Sequence, residues 1–218
     1  MLLNYAMGIA TKVNTIKRSM NKTTVKYSAL FLFICGLLFS CQTKENKNGN
    51  LGSTIIQVVK AFKEKDTPTL NSLIPKNMGL IVLYKPGTMV KYGKTDHIDF
   101  EKMVPEYLPN IHFVTDYKIK FENLPTYDCE AMIWSKQGLY CDSVNIDSLL
   151  SGTAVNLNKF GGDSISESEI KSFIDLEKNS RRIVLSDNEK GELVFYLTLI
   201  NNKWYLTILD TVTSDCGA

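Results

Sequence analysis

The sequence predicts an α+β domain in which N-terminal helices pack on a curved antiparallel sheet. Two observations predict this class. Residues 54–65 and 67–74 carry apolar side chains at helical spacing. Residues 181–187, 191–200 and 203–212 then alternate apolar and polar side chains across short turns, which is typical of an antiparallel meander. Helices followed by a run of strands give the α+β plan.

Three helices are predicted from spacing and capping residues. The first has one buried face with apolar residues at positions i, i+3, i+4 and i+7: Ile55, Val58, Val59 and Phe62. The second is predicted to begin at the N-cap Thr67, with Pro68 at its first position, and to end at Pro75. Ser166 and Glu169 form a capping box, which predicts a third helix ahead of the meander.

The middle of the domain is predicted as short strands. Residues 79–93 are aliphatic and β-branched around a Pro86-Gly87 turn, which predicts a hairpin or two short strands. Residues 99–108 are interpreted as a helical turn interrupted by a proline. Residues 117–122 and 128–134 are each predicted as a strand.

The register of the last hairpin follows from a two-residue turn at Asn201-Asn202, where asparagine tolerates positive φ. One face is then apolar core, with the pairs Leu199–Trp204, Leu197–Leu206 and Phe195–Ile208. The other face carries Val194–Leu209 and a set of aromatic and hydroxyl side chains that either meet solvent or line a cavity: Tyr196, Thr198, Tyr205 and Thr207. The same register places Asp210 on the apolar face.

The first forty residues have the pattern of a secretion signal. An apolar run of 11 residues, Ala29–Phe39, is too short to cross a bilayer, which needs about 20 apolar residues. The basic residues Lys17, Arg18, Lys22 and Lys26 precede it as a positive n-region. The sequence Leu-Phe-Ser-Cys that ends at Cys41 resembles the lipobox of bacterial lipoprotein precursors. Since Met20 opens a complete signal, residues 1–19 are an over-long start or an extended n-region.

The lipobox resemblance implies diacylglycerol on the thiol of Cys41, removal of residues 1–40 and a polar tether over residues 41–50. It implies a bacterial cell-envelope protein bound to the membrane through its lipid. Gln42 stands where an aspartate commonly retains lipoproteins in the inner membrane, so the outer membrane is favoured, on its periplasmic or its surface side. Residues 51–218 are then predicted to form a single domain.

Charge excludes one class of partner. Without the leader the chain keeps 20 basic and 23 acidic residues, a net charge of −3. This balance gives no support to a nucleic-acid partner, which would need a basic face whose Lys and Arg side chains contact phosphates, so none is expected. An envelope protein or a small-molecule ligand fits better. No cofactor is expected.

Three cysteines follow the lipobox, and the sequence predicts one disulfide and one free thiol. Cys129 and Cys141 flank a predicted chain reversal and can pair across it. Cys216 can equally join the C-terminal segment to either of them. A catalytic cysteine would need an activating base. His97 and His112 show no sequence relation to any cysteine, so we interpret the cysteines as structural.

Residues 54–83 and 181–212 resemble the NTF2-like or cystatin-like superfamily. The resemblance lies in a helix, an Asp and a short second helix at 58–74, and in the terminal hairpin at 195–209. It implies a sheet curled around a cone, with Tyr196, Thr198, Tyr205 and Thr207 lining a cavity in which a tyrosine donates an oxyanion-type hydrogen bond. The segment 85–165 is longer than in the usual short form.

Two functions follow as hypotheses. The first is a non-enzymatic, lipid-anchored binding or assembly module. The alternative is an NTF2-like enzyme with a tyrosine-lined cavity, acting on a small or carbohydrate-derived envelope substrate, although no catalytic base is evident. No metal site is predicted, because His97 lies in an acidic turn without metal-ligand spacing. Arg181 and Arg182 alternate in direction, so only one points toward any pocket, and surface pairing with Glu177 or Asp175 explains them.

Overall fold

The computed structural model describes residues 47–109, 111, 117–143 and 148–217. The predicted signal peptide, Cys41 and His112 lie outside the described residues. Within this part the helices are α1 (Lys47–Glu64), α2 (Thr67–Leu73), α3 (Leu149–Asn156) and α4 (Glu167–Lys178), with a π-helical turn at Leu157–Gly161. The strands are β1 (Leu80–Tyr84), β2 (Lys91–Thr95), β3 (Ile119–Phe121), β4 (Tyr127–Asp128), β5 (Ile133–Trp134), β6 (Gly138–Cys141), β7 (Ser180–Asp187), β8 (Gly191–Ile200) and β9 (Lys203–Asp210).

Seven strands form one sheet in the order β2-β1-β9-β8-β7-β6-β3, and β4 and β5 form a separate two-stranded ribbon. Neighbouring strands are antiparallel except at two places, where β1 runs parallel to β9 and β3 runs parallel to β6. The predicted α+β class with a mostly antiparallel sheet is confirmed. No described helix combines the length and the apolar character needed to cross a membrane.

Both faces of the large sheet are buried, since successive side chains of a strand point to opposite faces. One apolar cluster joins α1 and α2 to the first face, with Ile55, Val58, Phe62, Leu70, Val82, Phe195 and Leu209. A second joins α3 and α4 to strand residues of the opposite face, with Ile81, Leu150, Phe173, Tyr196 and Ile208. A third, smaller cluster contains Trp134, Val184 and Val194, which pack β5 against β7 and β8.

The predicted helices are present with corrected ends. α1 begins seven residues before the predicted start, at Lys47. The N-cap of α2 is Asp66 and not Thr67, because the Asp66 carboxylate accepts the backbone N–H of Thr69 at 3.1 Å. At α4 the Ser166 hydroxyl accepts the N–H of Glu169 at 3.2 Å, so the predicted cap is confirmed.

The middle of the chain differs from the prediction in three places. Residues 99–108 form no helical turn: Asp99 accepts two successive backbone N–H groups and pairs with Val104 in an isolated bridge. Residues 128–134 form no single strand, because the Asp128 carboxylate accepts the N–H groups of Glu130 and Ala131 and turns the chain. Helix α3 is not predicted by the sequence reasoning at all.

The last hairpin follows the predicted register only as far as the pair Leu197–Leu206. Asn201 and Asn202 form the turn with φ of 48° and 63°, as predicted. Beyond Leu206 a β-bulge leaves Thr207 without a cross-strand partner, so that Tyr196 pairs with Ile208 and Val194 with Asp210. The predicted pairs Tyr196–Thr207, Phe195–Ile208 and Val194–Leu209 are therefore wrong, as is the placement of Asp210 on the apolar face.

The disulfide joins Cys129 to Cys216, with the Cα atoms 5.6 Å apart. The alternative pairing with Cys216 is thus the one present, and the Cys129–Cys141 pairing is wrong. The two cysteines cannot pair because they lie in different environments. Cys141 is fully buried on the α1 face of the sheet, whereas Cys129 lies in the exposed turn between β4 and β5. The bridge fastens the segment after β9 to that turn.

Candidate functional site

A cavity of about 840 Å³ opens beside α3, and we call it the Arg182 cleft. The loop between β1 and β2, helix α3, the π-helical turn, β7 and the segment after β9 each contribute to its wall. Its lining residues include Val90, Leu149, Gly152, Phe160, Arg182 and Thr213. The cleft is large enough for a small organic ligand, since such sites usually enclose roughly 300–1,000 Å³.

The polar part of the cleft wall is a buried ion pair. Arg182 on β7 donates to the Asp210 carboxylate at 2.8 Å, and the exposed fractions of the two side chains are 18% and 0%. The Thr213 hydroxyl donates to the same carboxylate at 2.6 Å and is itself within hydrogen-bond reach of Arg182. The other carboxylate oxygen accepts the N–H groups of Val212 and Thr213 at 3.0 Å each. Asp210 thereby holds both the guanidinium and the segment after β9.

Tyr196 on β8 supports the same guanidinium. The Arg182 guanidinium carbon lies 5.6 Å from the centroid of the Tyr196 ring, within the range of a cation–π contact. The two residues are cross-strand neighbours on one face of the sheet. Arg182 is therefore fixed by a carboxylate, a hydroxyl and an aromatic ring.

Helix α3 is positioned by a carboxylate from α4. Glu177, which is buried, accepts the backbone N–H of Leu150 at 2.7 Å and of Ser151 at 3.2 Å. Ser148 is the N-cap residue of α3, but its side chain makes no capping hydrogen bond. Glu177, which lies on α4, therefore caps the N-terminus of α3. Its negative charge is also favourable at that end of the helix dipole, which is positive. This contact holds the α3 wall of the cleft against the sheet.

The remaining wall of the cleft is apolar. Val90 and Leu149 are half-buried, and Phe160 in the π-helical turn is 67% exposed at the cleft. Gly152 also lines the cleft, and a Cβ atom built on it meets no heavy atom within 4 Å. An arginine with apolar walls suits a ligand that combines a polar group with an apolar part.

The four residues predicted to line a cavity have different surroundings. Thr198 borders a smaller cavity of about 460 Å³, together with Lys94, Phe173 and Asn179. Tyr196 is buried beneath Arg182, and Tyr205 is half-buried with the Lys203 ammonium 4.8 Å from its ring.

Thr207, the bulge residue, lies in a chain of buried hydroxyls. The Thr198 hydroxyl lies 2.6 Å from that of Thr207 and 2.6 Å from that of Ser180, which donates to the Leu176 carbonyl at 2.8 Å. Each buried hydroxyl thus has a partner, as burial of a polar group requires. The structure brings Thr198 and Thr207 together and separates Tyr196 from Tyr205.

Other titratable candidates lie away from the cleft. His97 is exposed and its Nδ1 lies 2.5 Å from the Asp96 carboxylate. Burial, together with the neighbouring Asp142, raises the pKa of the Cys141 thiol to about 12, so this thiol stays protonated. In the described part of the chain no three His, Cys, Asp or Glu side chains converge to hold a metal ion.

The sequence reasoning missed three residues of this site, Arg182, Asp210 and Glu177. Arg182 was expected to pair at the surface with Glu177 or Asp175, but it pairs with Asp210. Glu177 was expected at the surface, but it is buried under α3. A signal for Asp210 did exist, since a lone carboxylate in an apolar strand suggests a buried partner.

Comparisons with family models, with curated proteins and with solved structures each find no significant match to this chain.

Proposed function

We propose that this chain is a lipid-anchored protein of the bacterial cell envelope, and that its domain is a non-enzymatic module that binds a small envelope molecule in the Arg182 cleft. The anchor is proposed from the lipobox at Cys41, and the outer membrane from Gln42. The observation that carries the binding role is the fixed guanidinium of Arg182 at the wall of an 840 Å³ cleft.

A fixed arginine suits binding because little side-chain entropy is lost when a ligand arrives. Asp210, Thr213 and Tyr196 hold the guanidinium in one position, and Arg182 is part of the cleft lining. Val90, Leu149 and Phe160 then cover the apolar part of a ligand. The proposed ligand therefore carries a polar group at one end and an apolar body.

We also propose that the domain is a long variant of the NTF2-like or cystatin-like superfamily. Two helices followed by a hairpin and a terminal meander support this proposal. The long segment between β2 and β6 and helix α3 would be additions to the usual form.

The enzymatic alternative has less support. It requires a tyrosine beside an acid or a base in an open cavity. Tyr196 is only 2% exposed and packs against Arg182, and Tyr205 lies beside Lys203. We therefore favour binding over catalysis.

The test is to block the cleft at Gly152. Gly152 lines the cleft and a Cβ atom built on it meets no heavy atom within 4 Å, so Gly152→Phe is the variant chosen to fill part of the cleft with a ring. Gly152→Ala is the matched control, since it changes the same helical position, adds one methyl group and leaves the cleft open. In helix interiors alanine is favoured over glycine by roughly 0.5–1 kcal/mol, so neither variant should unfold α3.

The measurement is native mass spectrometry of the protein purified from envelopes in mild detergent. The wild type and Gly152→Ala should retain a non-covalent small molecule, and Gly152→Phe should lose it. A wild-type protein without any bound molecule, or one whose adduct survives in Gly152→Phe, would contradict the proposed binding role.

A further inference from the structure

We propose that the β3 edge of the sheet, with Phe121 at its end and Lys118, Lys120 and Lys136 beside it, rests on the surface of an anionic phospholipid bilayer. This inference depends on the proposed lipid anchor at Cys41. It adds an orientation: one particular face of the domain meets the membrane.

The first argument is the position of β3 relative to the tether. A Cβ atom on Gly52, in the early turns of α1, would lie 3.7 Å from the Cδ1 atom of Ile119. Ile119 of β3 therefore lies next to the early turns of α1, the end of the helix that receives the chain from Cys41. Only five residues separate Cys41 from Lys47, where α1 begins. An extended chain of that length spans at most about 20 Å, so the lipid attachment point lies close to this end of the domain.

The second argument is an exposed aromatic residue at this edge. In the described part of the sheet β3 is the last strand and pairs with β6 alone. Ile119 packs against the core, but Phe121, which follows on the same face, is 51% exposed. An aromatic ring at the edge of a domain close to a lipid anchor can enter the headgroup region of the bilayer.

The third argument is positive charge on the other face of the same edge. The Lys120 ammonium lies 4.9 Å from the centroid of the Tyr140 ring and donates to the Tyr140 hydroxyl at 3.1 Å. The Lys136 ammonium lies 5.4 Å from that ring and donates to the carbonyl of Asn123 at 2.9 Å. Lys118 is exposed beside them. These ammonium groups complement anionic headgroups.

Charge and ring together favour a membrane surface over a protein partner. Glu122 follows Phe121, and Asp142 follows Cys141, the β6 partner of Phe121, so the three lysines outnumber two carboxylates at this edge. Residues 41–218 carry a net charge of −3. The excess of lysines at the β3 edge is therefore a feature of this edge and not of the whole domain. Protein–protein interfaces, in contrast, contain less lysine than the rest of the protein surface.

The test compares two tryptophan probes in the mature, lipidated protein reconstituted in vesicles. Phe121→Trp places the probe on the β3 edge, and Phe160→Trp places it at the Arg182 cleft. Both positions are exposed, so both variants should fold, which far-ultraviolet circular dichroism checks. The native Trp134 and Trp204 are buried and contribute the same background to both. Brominated phosphatidylcholine, with or without phosphatidylglycerol, quenches tryptophans that reach the bilayer.

The proposal predicts at least twofold stronger quenching for Phe121→Trp than for Phe160→Trp in vesicles with phosphatidylglycerol. That difference should disappear when phosphatidylglycerol is omitted. It should also disappear when Phe121→Trp is combined with Lys118→Gln, Lys120→Gln and Lys136→Gln. Equal quenching of the two probes in a protein that floats with the vesicles would overturn the orientation alone. A protein that does not float with any vesicle would overturn the anchor, and the inference would fall with it.

Discussion

Asp210 and Arg182 form a buried ion pair with a 2.8 Å hydrogen bond, although 28 residues separate them in the sequence. They lie on β9 and β7, with β8 between them. The bulge at Thr207 turns Asp210 away from the α1 face of the sheet and toward Arg182. The pair connects the meander to the segment after β9 and supplies the fixed charge of the cleft.

Replacing Asp210 should be costly. Asp210→Ala removes the buried counter-charge of Arg182, and breaking a buried pair in this way typically destabilises a protein by about 3–5 kcal/mol. Urea denaturation followed by circular dichroism measures the loss. The double variant Arg182→Met with Asp210→Leu removes both charges and should be more stable than Asp210→Ala alone. If the double variant is less stable than Asp210→Ala, the unpaired buried charge of Arg182 is not what destabilises the single variant.

Glu177 is predicted to hold α3 in place. Glu177→Ala leaves the N–H groups of Leu150 and Ser151 without their acceptor, which should cost about 1–3 kcal/mol. Glu177→Gln keeps an acceptor oxygen and should recover most of this loss. Hydrogen exchange should rise over residues 149–156 in Glu177→Ala before it rises in the sheet. Uniform exchange across the domain would contradict a local capping role.

The Tyr117–Asp187 contact predicts a pH-dependent effect. The Tyr117 hydroxyl donates to the Asp187 carboxylate at 2.6 Å, and this bond is the main reason that the pKa of Asp187 lies below its ordinary 3.8. A lowered pKa adds stability that is present above pH 3.8 and is lost as the pH falls through the folded value.

Tyr117→Phe should therefore lose about 0.5–1.5 kcal/mol at pH 7, and the difference from wild type should shrink below pH 4. Urea denaturation of both proteins between pH 2.5 and pH 7 measures it. A difference that stays constant over this range would show that packing of the Tyr117 ring, and not the carboxylate, is responsible.

Peptide mapping without reduction should find one cross-linked pair containing Cys129 and Cys216. The bridge closes a separation of 87 residues, and removing a native disulfide typically costs about 2–5 kcal/mol. The paired variant Cys129→Ser with Cys216→Ser should show this loss in urea. It should also weaken binding in the Arg182 cleft, because the segment that carries Thr213 then has no covalent link to the turn between β4 and β5. A Cys129–Cys141 peptide would contradict the structure.

The thiol of Cys141 should resist modification in the folded protein. Its pKa near 12 and its burial leave almost no thiolate at pH 8, so a disulfide reagent should react only on unfolding. Because the folded pKa is raised, the protein should lose stability as the pH rises from about 9 toward 12. Cys141→Ala should flatten that decline. Fast labelling of the native wild type at pH 8 would contradict the assignment.

Much of the fold was predictable because local rules decide it. Ser166 with Glu169, the Asn201-Asn202 turn and the alternation in the last three strands each depend on residues close in sequence. Helix α3 was not predictable in this way. It is capped by Glu177, a residue outside its own segment, so this stabilising contact cannot be predicted from residues 149–156 alone.

The site was predictable only in part, for a related reason. A regular hairpin register assigned Tyr196 and Thr198 to one face correctly and placed Asp210 on the wrong one. One extra residue, Thr207, reverses the facing of every later residue of β9. The sequence offers no local mark of that bulge, because the hydroxyl that contacts Thr207 belongs to Thr198 on β8, which in turn contacts Ser180 on β7.

The bulge also prevents the end of β9 from slipping by one residue. If Thr207 paired with Tyr196 in a regular ladder, every later residue would change face, and the carboxylate of Asp210 would lie on the apolar face with Phe195 and α1. An uncompensated ion there is far more costly than the one ladder position gained, so the strand keeps the bulged register. A single unpaired residue thus fixes which side chains of β9 meet each layer of helices.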